Sequence, residues 1–473
     1  MPESPVSAAD RDTTRSDDVL EFFVRWFPWA VIAYLAWFAI LFAQERLHGD
    51  AANFLLHIAD TGTFFINHGR WIMPLSQWMA VLGTHLGIPM SGLIALFSLG
   101  NVATLLVAYS FVRWKLKDRM AGLALVATQM VGLSHALFCP VFEFYFGAML
   151  LVVLLAVLRS TRLGRTWRAV LLAVLLFFVL SSHFLAMVVA CMVLVLVRVW
   201  REPRLTGLFA LVIVVHLVIR MTVLSGYDPR AIDMLILRYQ TIGWTWLFAP
   251  GRLAAMATHG ILAYPDTMIL AAVAAAVLVV RKDGLGLTIF LAGLLLLYVL
   301  LGLYFPDGTH MIYREIVDYP ISVWVLLVLW RRVMVHDRHI RPLLMVLFLA
   351  FGFRTVQPLR IAEAYTQRVA WMTERIAGAH DQGIRRGMVP NVPVFQPADG
   401  GQALPGLDPV QAMLISACEG PDAVMVLVPA TSHDTMSSFA ERWTEDLEAH
   451  GVHLPEGRGT YFSMPDEPFK AVR

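Results

Sequence analysis

Residues 141–183 read VFEFYFGAMLLVVLLAVLRSTRLGRTWRAVLLAVLLFFVLSSH, two apolar runs joined by a loop that carries Arg159, Arg162, Arg165 and Arg168. Each run approaches the length a helix needs to cross a hydrocarbon core of roughly 30 Å. A helix that is apolar all round is stable only where its surroundings are apolar too, so this stretch places the chain in a bilayer.

Working outward, comparable runs lie at 22–43, 90–112, 119–138, 184–200, 205–224, 267–281, 284–304, 316–334 and 341–357. With 141–158 and 168–183 they make about eleven crossings. The basic clusters are Arg113, Lys115, Lys117 and Arg119; Arg159 to Arg168; Arg198, Arg201 and Arg204; Arg281 and Lys282; and Arg331, Arg332, Arg338 and Arg341. All fall on one side of that count, which places them and the N-terminus in the cytoplasm. Segments 44–73, 134–143, 224–266, 305–315 and 358–473 then face outward. Residues 74–88, bounded by Pro74 and Pro89, read as a half-helix or interfacial helix.

The expected fold is a polytopic α-helical membrane protein of about eleven transmembrane helices with a small C-terminal α/β extracytoplasmic domain. Residues 1–21 are expected to be a disordered cytoplasmic tail, 22–357 the transmembrane domain and 358–473 the outer domain. Composition agrees: 58% of residues are hydrophobic, 15% are charged and the mean hydropathy is +0.65. A net charge of +2 over 473 residues provides no basic field for nucleic acid. Cys139, Cys191 and Cys418 form neither a CxxC pair nor a disulfide framework. No GxxxxGK[ST] or strand-linked GxGxxG motif supports a nucleotide-driven engine. The Ala-, Arg- and Val-rich usage suggests a bacterial inner membrane, with the outer domain in the periplasm.

The chemistry-bearing residues gather on the outward side. After Gly49, Asp50, Phe54 and His57 are spaced to share one face of a helix, and the loop closes with His68-Gly-Arg70-Trp71. A carboxylate held against a membrane is costly unless something compensates it, although the same pattern suits a solvated loop helix capped by Asp50. Glu143, flanked by Phe142, Phe144 and Tyr145, should face a polar cavity rather than lipid. His183 occupies a tight outward turn and equally suits an interfacial histidine. His310, Tyr313, Arg314 and Glu315 form a second outer cluster, in which a guanidinium can hold a phosphate bidentately or an Arg–Glu pair can anchor the interface. Arg238, Tyr239, Trp244 and Trp246 in the long outer loop suit a lipid, a glycan or an interfacial helix. Cys418, His433 and Asp434 lack any motif that would make them a nucleophile group.

With an N-in first helix, Gly49-Asp50 close after it, a juxtamembrane helix next and a C-terminal outer domain, the chain resembles the GT-C superfamily of integral-membrane glycosyltransferases. Gly-Asp-Ala-Ala stands where several branches carry Asp-Asp or Asp-Glu. The resemblance implies transfer of a sugar from a polyprenyl-phosphate or polyprenyl-diphosphate donor to a glycan, lipid or protein acceptor at the outer face. It implies Asp50 as the general base, with inversion, and Arg314, His310 and Tyr313 on the leaving phosphate. Glu143 and His57 would orient the acceptor or join Asp50 around a divalent cation. The rival reading is a transporter or flippase, which would show a polar path continuing to the cytoplasmic side. A scaffold displaying the outer domain needs far fewer crossings.

Overall fold

The computed structural model describes residues 8–222, 227–304, 314–333, 340–399, 403–430, 459–464 and 469–472. The first half contains α1 (Ala8–Leu41), α2 (Asp50–Thr61), α3 (Pro74–His85), α4 (Met90–Ser110), α5 (Arg119–Thr128), α6 (Glu143–Arg159), α7 (Arg165–Leu180) and α8 (Phe184–Leu196). The second contains α9 (Pro203–Thr222), α10 (Tyr227–Leu247), α11 (Pro250–Ala263), α12 (Pro265–Val280), α13 (Gly284–Tyr304), α14 (Arg314–Val328), α15 (Ile340–Asp381) and α16 (Pro409–Ser416).

Among the described residues five helical segments are long and apolar enough to span a membrane, or six if the α11–α12 pair, bent by 105°, is one broken span. Eleven were expected, and the difference has local causes. The run at 119–138 leaves the α-helix after Thr128 and continues through turns, with Gly132 at φ 76°, into a short 3-10 helix, His135–Phe138. Helix α6 has 17 residues, roughly 26 Å at the α-helical rise, and α8 has 13. The segment expected as a disordered tail is helical from Ala8 onward. No Gly or Pro interrupts residues 8–19, so the helix of the first span can propagate back through them.

The core is built around α6, which is buried on every face from Phe144 to Val157 except for a partly covered Leu150. Its neighbours include α4, α5, α7, α8 and α14. Helix α3 closes on α4 where Gly100 meets the carbonyl of Ser76; a Cβ there would stand 2.0 Å from that oxygen. The outermost helices expose their apolar faces: Leu211, Val214, Val218 and Met221 on α9, Leu291 and Leu295 on α13, and Met345, Phe348 and Leu349 on α15. Such continuous apolar surface fits a protein embedded in a membrane.

The two ends of the bundle differ in chemistry. At one end the basic clusters meet: Arg159 lies 4.0 Å from Asp118, Arg332 lies 3.3 Å from Asp283 and reaches the Leu196 carbonyl, and Arg281 donates to the Arg332 carbonyl. Among the described residues, parts of segments 44–73, 134–143 and 224–266 come together around α15. Helix α15 has 42 residues and crosses the boundary expected at 358 without a break, despite Pro358. It leads into a small sheet of order β4-β1-β5, with β1 (Arg386–Val389) parallel to β4 (Val426–Pro429) and β5 (Lys470–Ala471). Strands β2 (Val394–Phe395) and β3 (Leu404–Pro405) form an antiparallel pair beside it. Strand β4 falls within the apolar stretch 423–429 of the outer unit, and residues 431–458 lie outside the described residues.

This C-terminal unit is fastened to the helical body. Arg368 of α15 donates to the Pro405 carbonyl at 2.7 Å and to Gln411 Oε1 at 2.6 Å. Gln411 Nε2 in turn donates to the Gln44 carbonyl at 2.7 Å, beside the first outer loop. Tyr461 donates to the Ile88 carbonyl at 2.9 Å.

Candidate functional site

The site forms where the first outer loop meets the α5–α6 connection and α15. Gly49 adopts φ 62°, a conformation glycine takes at low cost, and turns the chain into α2 with Asp50 as its first residue. Gly49 therefore occupies the capping position that the sequence had offered to Asp50. Asp50 is exposed, Phe54 is buried and packs edge-on against Phe65, and His57 is half-buried against the same Phe65 ring. His57 Nε2 also lies 3.4 Å from Thr63 Oγ1.

Arg70, at the close of the same loop, pairs with Glu143, the first residue of α6. The carboxylate expected to face a polar cavity is thus compensated by a guanidinium drawn from 73 positions earlier. A carboxylate in the first turn of a helix also meets the positive end of the helix dipole. Asp50 and Glu143 both act on Cys139, whose thiol is pushed up to about 12, first by burial and then by the two carboxylates. His183 caps α8, its Nδ1 accepting from the Leu185 amide at 3.2 Å, and it feels the charge of Arg70.

Several residues of the site were not anticipated. Arg46 is buried and donates to Asn101 Oδ1 at 3.1 Å. His48 is buried with its ring edge-on to Tyr365, 5.5 Å between centroids. Tyr365 also stacks on Phe138 at 4.0 Å, and its hydroxyl lies 3.2 Å from His135 Nδ1. His135 Nε2 lies 2.8 Å from Asp399, which belongs to the C-terminal unit. Glu45 is buried, accepts from Thr366 Oγ1 at 3.2 Å, and is raised above the ordinary carboxylate range by burial. The only sequence signal for Arg46, His48 and Glu45 was their density in Glu45-Arg-Leu-His48; the partners on α15 were invisible to it.

Beside this cluster lies a buried ion pair. Arg354 of α15 donates through Nε and Nη2 to Asp266, at the start of α12, while Tyr264 lies 5.0 Å from the guanidinium. Asp266 also accepts from the Gly132 amide at 3.1 Å. An arginine inside an apolar run was a legible signal here, since such residues need a partner.

Other expected site residues stand elsewhere. Arg238 lies on α10, which packs against α13 and α11, and no described contact joins it to the cluster. Its neighbours Tyr239 and Trp244 pack edge-on at 5.4 Å. His310 and Tyr313 lie outside the described residues; Arg314 and Glu315 open α14, without described side chains. Cys418 is half-buried and donates to the Leu414 carbonyl, an ordinary packed thiol, while His433 and Asp434 lie outside the described residues.

Among the described residues no group of three or more His, Cys, Asp or Glu is arranged to hold a metal ion. Asp50, His57 and Glu143 are therefore not gathered into a donor set for a divalent cation. Compared with protein-family models, with curated proteins and with solved structures, the chain matches none.

Proposed function

We propose that this protein is a membrane glycosyltransferase, moving a sugar from a polyprenyl-phosphate or polyprenyl-diphosphate donor to an acceptor at the outer face, with inversion. The observation that carries this reading is the exposed Asp50 carboxylate at the first turn of α2, sharing the neighbour Cys139 with Glu143. A carboxylate in this position can take the acceptor's proton as its oxygen attacks the anomeric carbon. The Arg70–Glu143 pair beside it offers hydrogen bonds to acceptor hydroxyls. As the donor bond breaks, negative charge grows on the leaving phosphate and calls for a cation, the role assigned to Arg314. Inner-membrane placement, with the basic end cytoplasmic and the C-terminal unit periplasmic, belongs to the same proposal.

The test is turnover of polyprenyl-linked sugar in proteoliposomes. Asp50→Asn is expected to lower transfer by at least a hundredfold with folding intact. Unchanged transfer in folded Asp50→Asn removes the base and the proposal with it.

One observation favours transport instead. The α11–α12 bend places a buried ion pair, Asp266 with Arg354, at a break between two apolar helices, a form that transporters use for substrate sites. Uptake or flipping of a lipid-linked sugar without transfer would support that reading.

A further inference from the structure

Arg46 is 1% exposed, and among the described residues no carboxylate lies within ion-pair distance of it. Its one described hydrogen bond goes to the neutral amide oxygen of Asn101, and its Nε is buried with no partner. Tyr145, on the first turns of α6, is buried, and its hydroxyl is also without a partner. Arg46 lies in the 3-10 turn Glu45–Leu47 and Tyr145 on α6, and both of these elements pack against α4, which carries Asn101. Burial lowers Arg46 to about 10, which still leaves it cationic at neutral pH.

Burying a guanidinium without a counter-charge costs several kcal/mol. A water molecule would satisfy its Nε–H but not its charge. The two unpartnered groups share a chemical bias: the guanidinium only donates, and the phenol has a proton to donate. A cationic donor beside a second donor selects a ligand rich in acceptors and negatively charged. Planar guanidinium geometry suits the paired oxygens of a phosphate. The Glu45–Leu47 turn packs against α2, which begins at Asp50, and against the His135–Phe138 turn just before Cys139, so Arg46 lies within the candidate site.

We infer that Arg46 and Tyr145 form an oxyanion subsite that takes a phosphate group beside Asp50. Its assignment to the donor's phosphate rests on the transferase reading; the subsite itself rests on the uncompensated guanidinium. Lipid-linked and free phosphate share the chemistry, and the test separates them.

The experiment is thermal unfolding of the full chain in detergent, titrated with inorganic diphosphate or with a polyprenyl phosphate, against sodium chloride at matched ionic strength. The expected result is a saturable rise in midpoint, at least tenfold weaker in apparent affinity in Arg46→Gln and Tyr145→Phe and only partly retained in Arg46→Lys, whose ammonium keeps the charge but not the two-point geometry. Tighter binding of the polyprenyl form identifies a lipid phosphate, and equal binding identifies a free one. If Arg46→Gln does not fold, Tyr145→Phe and Arg46→Lys carry the comparison. No saturable rise in the wild type, or one unchanged in Tyr145→Phe and Arg46→Gln, overturns the subsite. Because glycosyl transfer is not the readout, an inactive transferase leaves a positive result standing, and a negative one leaves Asp50 to its own test.

Discussion

Asp266 and Arg354, 88 positions apart and both buried, meet in a two-point ion pair: Arg354 Nε lies 2.8 Å from Oδ2 and Nη2 lies 2.6 Å from Oδ1. The pair ties α12 to α15, and through the Gly132 amide it ties both to the turn that precedes the candidate site. Removing one partner strands the other charge. Asp266→Ala and Arg354→Ala are each expected to destabilise the protein by about 3–5 kcal/mol. Arg354→Lys should recover only part, since an ammonium cannot make the two-point contact. Unfolding midpoints in detergent check both statements.

The α3–α4 contact is limited by backbone rather than by side chains. Since a Cβ on residue 100 would stand 2.0 Å from the Ser76 carbonyl oxygen, Gly100→Ala forces the two helices apart. A loss of about 1–3 kcal/mol is expected. Gly207→Ala, inside α9 where a Cβ would meet nothing, is the matched control and should not lower the midpoint.

His48 should give stability a pH dependence. Burial, with Arg368 and His135 nearby, holds it down at about 3, against an ordinary histidine value of 6.5. Between those two values the unfolded chain binds a proton that the folded chain refuses. The group's contribution is therefore complete above about pH 6.5 and is lost as pH falls toward 3. His48→Phe, which keeps the ring against Tyr365, should flatten that part of a midpoint-against-pH curve. An unchanged slope would mean that the histidine is protonated in the folded protein.

For Arg70 and Glu143 the effects on stability and on turnover should diverge. The side chains are 14% and 13% exposed, so either alanine variant should cost about 1–3 kcal/mol, between an exposed pair and a fully buried one. Transfer should fall at least tenfold in both if the pair orients the acceptor, with the loss in kcat/KM. A parallel fall in stability and turnover would make it a purely structural link.

The turn chemistry of the first outer loop was legible because it is local. Glycine at 49 permits the positive φ, and the spacing of Asp50, Phe54 and His57 gives the helix face. Helix lengths were less legible. The apolar run at 119–138 has no proline inside it, yet it breaks near Gly132, where a Cβ would stand 2.0 Å from Ser322 Oγ on α14. Hydropathy alone cannot register such a contact. The boundary expected at 358 had the same origin, since the shift to polar residues there changes the surroundings of α15 without ending it.

The order of residues by itself pointed to a helical chain with apolar surroundings, because hydrophobicity acts on each segment separately. Only the tertiary structure decided which buried charges are compensated. Glu143 finds Arg70, and Asp266 finds Arg354, while Arg46 finds only the neutral Asn101 among the described residues. The physical reason is that the cost of burying a charge depends on partners within a few ångströms, and those partners come from parts of the chain that only packing brings together.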